Sequence, residues 1–165
     1  MAHVSSDPGK RLLRYERGYL ETLSLIERLH RLLLDVIKDD FERSGASDVN
    51  AVQALLLYNI GDSELTAGEL RSKGYYQGSN VSYNLKKMVE LGYIHHERCV
   101  VDRRAVRIKL TEDGQEIRER VRALFERQIK LISDMPLYTT DEVAAQTDML
   151  RRLERFWAEQ IRFIY

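Results

Sequence analysis

The sequence has few of the residues that cross-link a chain or break its helices. It contains a single cysteine, Cys99, which excludes an intramolecular disulfide and a cysteine-based zinc framework. Two prolines and nine glycines in 165 residues predict long uninterrupted elements. No apolar run approaches the roughly 20 residues that a membrane-spanning helix needs. Because residues 1–10 also lack the apolar core of a signal peptide, we expect a cytoplasmic protein.

The motifs of common enzymes and metal sites are also missing. There is no H-E-x-x-H or G-x-S-x-G sequence, no phosphate-binding glycine loop, and no nucleophile at motif spacing from a base. His95 and His96 are adjacent on a predicted strand, so they point to opposite faces and do not readily bind one metal. For His30 a hydrogen-bonded interface residue is favoured, and for Cys99 a small packed residue is favoured over a redox sensor. We therefore expect no enzyme, no metal and no cofactor.

Charge is balanced over the whole chain but not along it. The 26 Lys and Arg residues equal the 26 Asp and Glu residues. Residues 66–111, however, contain nine basic and four acidic side chains, a local excess of five, which leaves the remainder acidic by the same amount. A basic segment on an acidic scaffold directs a protein towards a polyanion.

The same stretch has the element order of a winged helix-turn-helix. A capping box, Thr66-x-x-Glu69, opens a short helix, and a turn follows at residues 74–77. A second helix then runs to about Leu91, where Gly92 ends it. Its predicted buried stripe is Val81, Leu85 and Met88.

Two short strands follow that helix, at about residues 93–101 and 104–110. Apolar and basic residues alternate on the second strand, which runs Val106, Arg107, Ile108, Lys109 and Leu110. Glu64 and Leu65 are expected to add a one-pair strand beside this hairpin. Helix, turn, helix and basic hairpin is the order in which the second helix enters the DNA major groove.

The second helix carries the side chains that DNA recognition requires. Short polar groups near the helix start reach base edges, and cations further along contact phosphates. The candidates are Gln77, Ser79, Asn80, Ser82, Tyr83, Lys86 and Lys87. An ordinary capped helix with a solvated face would explain this helix alone equally well. Asn84 stays open between a buried amide and a DNA contact.

The hairpin supplies the feature that discriminates between these interpretations. Arginines at a tight turn enter the minor groove, where the negative potential is concentrated. The candidates on the hairpin are Arg98, Asp102, Arg103, Arg104 and Arg107. A surface hairpin without a polyanionic partner has little reason to carry so many cations, so helix and hairpin together favour DNA.

Long amphipathic helices are predicted on both sides of this module. We expect residues 1–9 to be disordered and residues 10–45 to form a dimerisation helix that ends at Ser44-Gly45. Such a helix spans on the order of 50 Å. Its apolar residues extend beyond one face, which predicts a partner helix from a second subunit.

The remaining helix starts follow from capping residues. Ser47 or Asp48 is expected to cap the helix Val49–Ile60 inside the module of residues 46–111. Thr111 caps the next helix, and a second capping box at Thr139-x-x-Glu142 opens the last. Residues 112–165 are therefore expected to form the C-terminal dimerisation helices.

The hairpin also contains a family motif. Asp102-x-Arg104 is followed five residues later by Leu110-Thr111, giving the pattern D-x-R-x5-L-T. Here, and in the spacing from Glu69-Leu70 to Gly92-Tyr93-Ile94, the sequence resembles the MarR family of bacterial winged-helix regulators. The run from residue 50 to 87 is also similar to the LdtR branch, which is associated with envelope and stress genes. Gly68 and Asn84 depart from the family pattern.

The resemblance implies an obligate homodimer whose first and last two helices interlock. Two recognition helices about one DNA turn apart would read a pseudo-palindrome. It also implies that Asp102 and Arg104 pair to shape the hairpin, whose arginines contact the minor groove. MarR-like proteins often bind small phenolic or aromatic anions beside the DNA-binding module. Candidate lining residues are Tyr15, Tyr19, Tyr58 and Phe125, although packing is favoured for each one individually.

The sequence therefore predicts a mainly α fold with a small β-wing, in which long dimerisation helices flank a winged helix-turn-helix. We expect a homodimeric, sequence-specific DNA-binding transcriptional regulator, most simply a repressor, with a small-molecule effector. Two alternatives remain, a winged helix that binds protein and an architectural DNA-binding protein without sequence preference.

Overall fold

The computed structural model describes residues 8–45, 48–62, 65–66, 69–70, 78–98, 106–135 and 137–164. Its elements are, in chain order, α1 (Pro8–Arg43), α2 (Ala51–Ile60), β1 (Leu65–Thr66), α3 (Gly78–Glu90), β2 (Ile94–Arg98), β3 (Val106–Leu110), α4 (Glu112–Asp134) and α5 (Thr140–Ile164). Long helices with a small sheet confirm the predicted fold class. The chain divides into two compact units, Met1–Arg122 and Ala123–Tyr165.

Helix α1 begins at Pro8, two residues before the predicted start, so Pro8 and Gly9 are helical rather than disordered. Proline suits the first position of a helix because its missing N–H has no intrahelical partner there. The predicted end is confirmed. Gly45 has a φ of 64°, and its N–H donates to the carbonyl oxygen of Glu42 at 3.2 Å.

The start of α2 corrects the predicted cap. Neither Ser47 nor Asp48 is the capping residue, and α2 begins at Ala51 with Asn50 as its cap. The backbone N–H of Gln53 donates to the side-chain oxygen of Asn50 at 3.0 Å, and the N–H of Asn50 donates to Gln53 Oε1 at 3.1 Å. Asn50 is favoured over the earlier candidates because Gln53, three residues later, completes this reciprocal pair.

Strand β3 lies at the centre of a three-stranded antiparallel sheet, with β1 on one side and β2 on the other. Ile108 pairs with Leu65 of β1 and with His96 of β2. Ile108 and Leu110 are buried whereas Arg107 and Lys109 are exposed, which confirms the predicted alternation. The additional strand beside the hairpin comprises Leu65 and Thr66, one residue later than expected.

The core of the first unit is formed by apolar side chains from most of its elements. The largest fully buried residues are Ile37, Leu56, Leu57, Leu70, Met88 and Val121. Two arginines near the start of α4 add polar contacts around this core. The Arg120 guanidinium lies 4.8 Å from the ring centroid of Phe41 and donates to Ser44 Oγ. Arg118 donates two hydrogen bonds to the Asp62 carboxylate, at 2.7 and 2.9 Å.

The start of α4 is joined closely to the start of β2. As predicted, Thr111 caps α4, and its hydroxyl oxygen accepts from the N–H of Gly114 at 3.1 Å. The same hydroxyl donates to the carbonyl oxygen of Gly92 at 2.7 Å, and the N–H of Thr111 donates to that of Tyr93 at 3.1 Å. A β-carbon on Gly114 would lie only 2.1 Å from the Tyr93 oxygen, so this approach requires glycine.

The second unit contains the end of α4 and all of α5. The predicted capping box is present. The Thr139 N–H donates to Glu142 Oε2 at 2.8 Å, and the Glu142 N–H donates to Thr139 Oγ1 at 3.2 Å. Many large apolar side chains of this unit are exposed, among them Ile129, Leu131, Tyr138, Met149 and Phe156. In the described ranges, no helix is both long and apolar enough to cross a bilayer.

Candidate nucleic-acid interface

Helix α3 belongs to the first unit. It presents a polar face to solvent and an apolar face to the core of that unit. Met88 is fully buried and Leu85 is half-buried, which agrees with the predicted stripe at these two positions, whereas the side chain of Val81 lies outside the described ones. On the other side, Tyr83 is 67% exposed. Lys86 is also exposed and forms an i,i+4 pair with Glu90 at 3.9 Å, a contact too open to hold the ammonium group firmly.

The remaining candidates of this helix lie in or just before its first turns. Ser79, Asn80 and Ser82 belong to α3, but their side chains lie outside the described part of the structure, as does the whole of Gln77. Lys87 is half-buried. The exposed candidates therefore offer an aromatic ring with a hydroxyl and a cation three residues later. These groups suit a thymine methyl or base edge and a phosphate, respectively.

The end of α3 is fixed by backbone contacts. Gly92 has a φ of 82°, and its N–H donates to the Val89 carbonyl oxygen at 3.0 Å. The N–H of Tyr93 donates to the Met88 carbonyl oxygen at 2.9 Å. This left-handed glycine ends the helix and turns the chain directly into β2, as predicted.

Tyr93 lies at the junction of the helix, the sheet and α4. Partial burial raises the pKa of its phenol above the ordinary value, and the nearby carboxylates of Asp48 and Asp113 raise it further. The ring therefore stays neutral throughout the physiological range.

We use wing for the hairpin formed by β2, β3 and the connecting residues 99–105. Arg107 is exposed on β3, and its Cα partners in the sheet are Thr66 and Glu97. Arg98 belongs to β2, although its side chain lies outside the described ones. Asp102, Arg103 and Arg104 fall in residues 99–105, outside the described residues, so the expected pairing of Asp102 with Arg104 stays a prediction. Arg107 and Lys109 give β3 a basic exposed face.

Asn84, which the sequence left open, is half-buried and turned towards α2. Its side-chain oxygen accepts from Gln53 Nε2 at 3.4 Å. This contact favours a structural role over direct contact with DNA. The pattern Asn50-x-x-Gln53 could have identified the cap from sequence, but nothing in the sequence links Gln53 to Asn84.

The four candidate effector residues do not all line one described cavity. Tyr15 and Tyr19 line a groove of about 560 Å³ on α1, together with Arg11, Arg14, Gly18 and Thr22. Tyr58 is half-buried on α2 and is not part of this groove, and Phe125 belongs to the second unit. A shared effector pocket therefore stays a prediction.

A larger cavity, which the sequence did not indicate, lies where α1 ends and α2 begins. It has a volume of about 690 Å³ and is lined by residues that include Lys38, Phe41, Asp48 and Asn50. In the part of the chain that is described, no group of three or more His, Cys, Asp or Glu side chains is placed to hold a metal ion. His95 and His96 pair with exposed Lys109 and buried Ile108, respectively, as expected for opposite faces.

Comparison with known proteins agrees with this geometry. Residues 47–105 match the profile of the MarR family. The exopolysaccharide II synthesis transcriptional activator ExpG of Rhizobium meliloti (strain 1021) is 32% identical over 146 residues, which cover 88% of this chain and 74% of ExpG. The chain belongs to the MarR family. It is thus a DNA-binding transcriptional regulator and not an enzyme.

Solved structures show the same fold. FabT from Streptococcus pneumoniae, in complex with DNA, is 19% identical with a TM-score of 0.64, and the match covers 86% of this chain and 99% of FabT. A MarR protein from Peptoclostridium difficile is 16% identical with a TM-score of 0.71, covering 87% and 92%. At these identities the similarity concerns the fold alone.

Proposed function

We propose that this MarR-family protein binds a pseudo-palindromic operator as a homodimer, through α3 and the wing. The observation that carries the proposal is the exposed face of α3 at Tyr83 and Lys86, on a helix that packs against β2 of a basic hairpin. The base-reading residues are Gln77, Ser79, Asn80, Ser82 and Tyr83. Lys86, Lys87 and the wing residues Arg98, Arg103, Arg104 and Arg107 contact phosphates or the minor groove, and Asp102 shapes the wing.

The exposed apolar side chains of the long helices support the homodimer. Leu29 is 56% exposed and Leu32 is 57% exposed, and the second unit exposes Ile129 at 66% and Met149 at 62%. Burial of apolar surface contributes about 25 cal/mol per Å², so faces of this kind favour association. We infer that α1 and residues 112–165 form the interface between two copies. Two α3 helices related by a two-fold axis then read two half-sites.

Repression is the sign of regulation that we propose first, because a dimer bound over a promoter blocks access of the polymerase. Activation is the second candidate, because the relative ExpG is named as an activator. A reporter driven by the protein's own upstream region, with and without the protein, distinguishes the two. Because the target is chromosomal DNA, the proposal places the protein in the cytoplasm.

A small aromatic anion is the proposed effector. The groove on α1 combines the rings of Tyr15 and Tyr19 with the cations Arg11 and Arg14, a suitable chemistry for such a ligand. An effector acts only if it binds the free and DNA-bound forms unequally. Titration with 4-hydroxybenzoate should therefore release DNA. Equal affinity for free and DNA-bound protein would contradict this part of the proposal.

Binding to DNA is tested with a fragment of the protein's own upstream region against a scrambled duplex of the same composition. In a gel-shift assay, a sequence-specific regulator shifts the upstream fragment at a lower protein concentration than the scrambled duplex. An architectural protein shifts both equally, and a protein-binding winged helix shifts neither. Sedimentation at micromolar concentration tests the dimer, and a well-folded monomer would contradict it.

The salt dependence of binding tests the wing. Because log K falls by about 0.9 per released phosphate counterion, Arg103→Ala should weaken binding to all sequences and reduce the slope by about that amount. Tyr83→Ala should instead change which sequence is preferred. Lys130→Gln, which removes an exposed cation of the second unit, is the matched control and should leave the slope unchanged. An unaltered slope for Arg103→Ala would refute the assignment of the wing.

A further inference from the structure

Gln53 is a polar side chain placed inside an apolar core. It is 5% exposed, and among the described residues it is the one buried side chain that is polar or charged. A buried amide is costly unless hydrogen bonds replace the water that it loses. The contacts of its two ends are therefore informative.

The two ends of the Gln53 carboxamide bind different elements. Its oxygen accepts from the Asn50 N–H at 3.1 Å, which fixes that end to the start of α2. Its Nε2 donates to Asn84 Oδ1 on α3 at 3.4 Å, across 31 residues of sequence. Because the backbone N–H of Asn50 restrains the carboxamide oxygen, the amide N–H is aimed at α3 in a defined direction.

Asn84 is well placed to control how α3 is rotated about its own axis. Its neighbour Tyr83 and Lys86 point outward, whereas Asn84 is held on the inner side. Side chains of a helix end about 5 to 6 Å from its axis, so a rotation of about 10° moves them by about 1 Å. A shift of that size is enough to break a hydrogen bond to a base edge.

We propose that Gln53 is a positioning residue for DNA recognition, which sets the rotation of α3 through Asn84 and thereby fixes the base edges that Tyr83 faces. This inference rests on the proposed function, because it presupposes that α3 reads a sequence. It assigns to the start of α2 a part in specificity, without contact to DNA.

The test uses single and double exchanges of amide for carboxylate. In Gln53→Glu, the carboxylate still accepts from the backbone N–H of Asn50. It also accepts from the side-chain NH2 of Asn84 once that carboxamide flips by about 180° around its own bond. In Asn84→Asp, the new carboxylate accepts from the unchanged Gln53. The double variant places two carboxylates together with no donor between them, so the contact is lost.

The readout is the ratio of affinities for the upstream fragment and the scrambled duplex, measured by fluorescence anisotropy. Each single variant should keep this ratio within about twofold of the wild-type value. The double variant should lower it about tenfold, a change that corresponds to the loss of one or two hydrogen bonds. Asn50→Ala is the matched control, because it removes the cap oxygen while the Gln53–Asn84 contact remains, and it should preserve the ratio.

Thermal melting of each variant separates positioning from support of the core. A double variant that melts lower but keeps its ratio would overturn the inference. Losses in the two single variants that sum to the loss in the double variant would also overturn it, because they would mean that the two side chains act independently and not through their contact. If the double variant does not fold, Gln53→Met removes the donor to Asn84 at a buried residue that does not contact DNA, and it should give the same loss of ratio. A wild-type protein without any preference would instead refute the proposed function, and the inference with it.

Discussion

Replacement of Gly114 by alanine should destabilise the protein, although alanine is the better helix former. The new β-carbon would lie 2.1 Å from the carbonyl oxygen of Tyr93, whereas ordinary contacts begin at 3.4 Å. The two groups must therefore separate by roughly 1.3 Å. Neither moves freely, because the Tyr93 oxygen is backbone and already accepts from Thr111 at 3.1 Å.

The size of the effect of Gly114→Ala follows from three opposing contributions. Overpacking costs about 1 to 3 kcal/mol. The strained hydrogen bond from Thr111 adds about 1 kcal/mol, and the helix propensity of alanine returns about 1 kcal/mol. We expect a net loss of about 2 kcal/mol in the free energy of unfolding.

Urea denaturation followed by circular dichroism, at one fixed protein concentration, measures this loss for Gly114→Ala. Gly18→Ala is the matched control, since no atom of the same protomer would lie within 4 Å of its new β-carbon. It should gain up to about 1 kcal/mol from helix propensity alone. A Gly114→Ala variant as stable as the wild type would refute the reasoning.

Three further predictions concern charged and titrating groups. Asp62→Ala removes one partner of Arg118, which also contacts Gln115 and Glu119. Because Asp62 is 72% exposed, we expect a loss of only about 1 kcal/mol in unfolding free energy, smaller in 1 M salt, and a salt-independent loss would contradict this. The pKa of Glu142 is lowered from 4.5 by hydrogen bonds from the backbone and side chain of Thr139, so its stabilising effect is present above pH 4.5 and is lost as pH falls through the lowered pKa. Glu142→Gln should remove this acid-dependent loss of stability, which is measured as helicity by circular dichroism against pH. An acid limb unchanged from that of the wild type would count against this prediction. The pKa of Tyr93 is raised from 10.0, and burial is the largest cause. The neutral phenol therefore contributes fully to the stability of the fold below pH 10, and this contribution is lost as pH rises through the raised pKa. Tyr93→Phe should flatten the alkaline limb of a stability profile, which an identical limb would disprove.

Local signals in the sequence predicted most of the element boundaries. The capping boxes at Thr66 and Thr139 and the left-handed Gly92 depend on residues within one helical turn, which is why they can be read from sequence. The alternation on β3 likewise depends on neighbours in the chain. The predicted start of α2 was wrong because several good capping residues compete there. The reciprocal bond with Gln53 decides among them.

The contacts that hold the site together could not be predicted in this way. Gln53 and Asn84 are 31 residues apart, and Asp62 and Arg118 are 56 residues apart. Each side chain alone resembles an ordinary polar surface residue. Only packing of α2, α3 and α4 in three dimensions brings the partners within reach. The roles of individual residues on α3 and the wing stay predictions.

The order of the sheet also bears on whether chains can associate through their strand edges. A sheet edge with open N–H and C=O groups invites pairing with another chain. Here one edge is the two-residue β1, and the other is the five-residue β2, whose exposed residues include His95, His96 and Glu97. Short edges with polar, ionisable side chains make poor templates for a growing sheet. Concentrated protein should therefore resist association through these sheet edges.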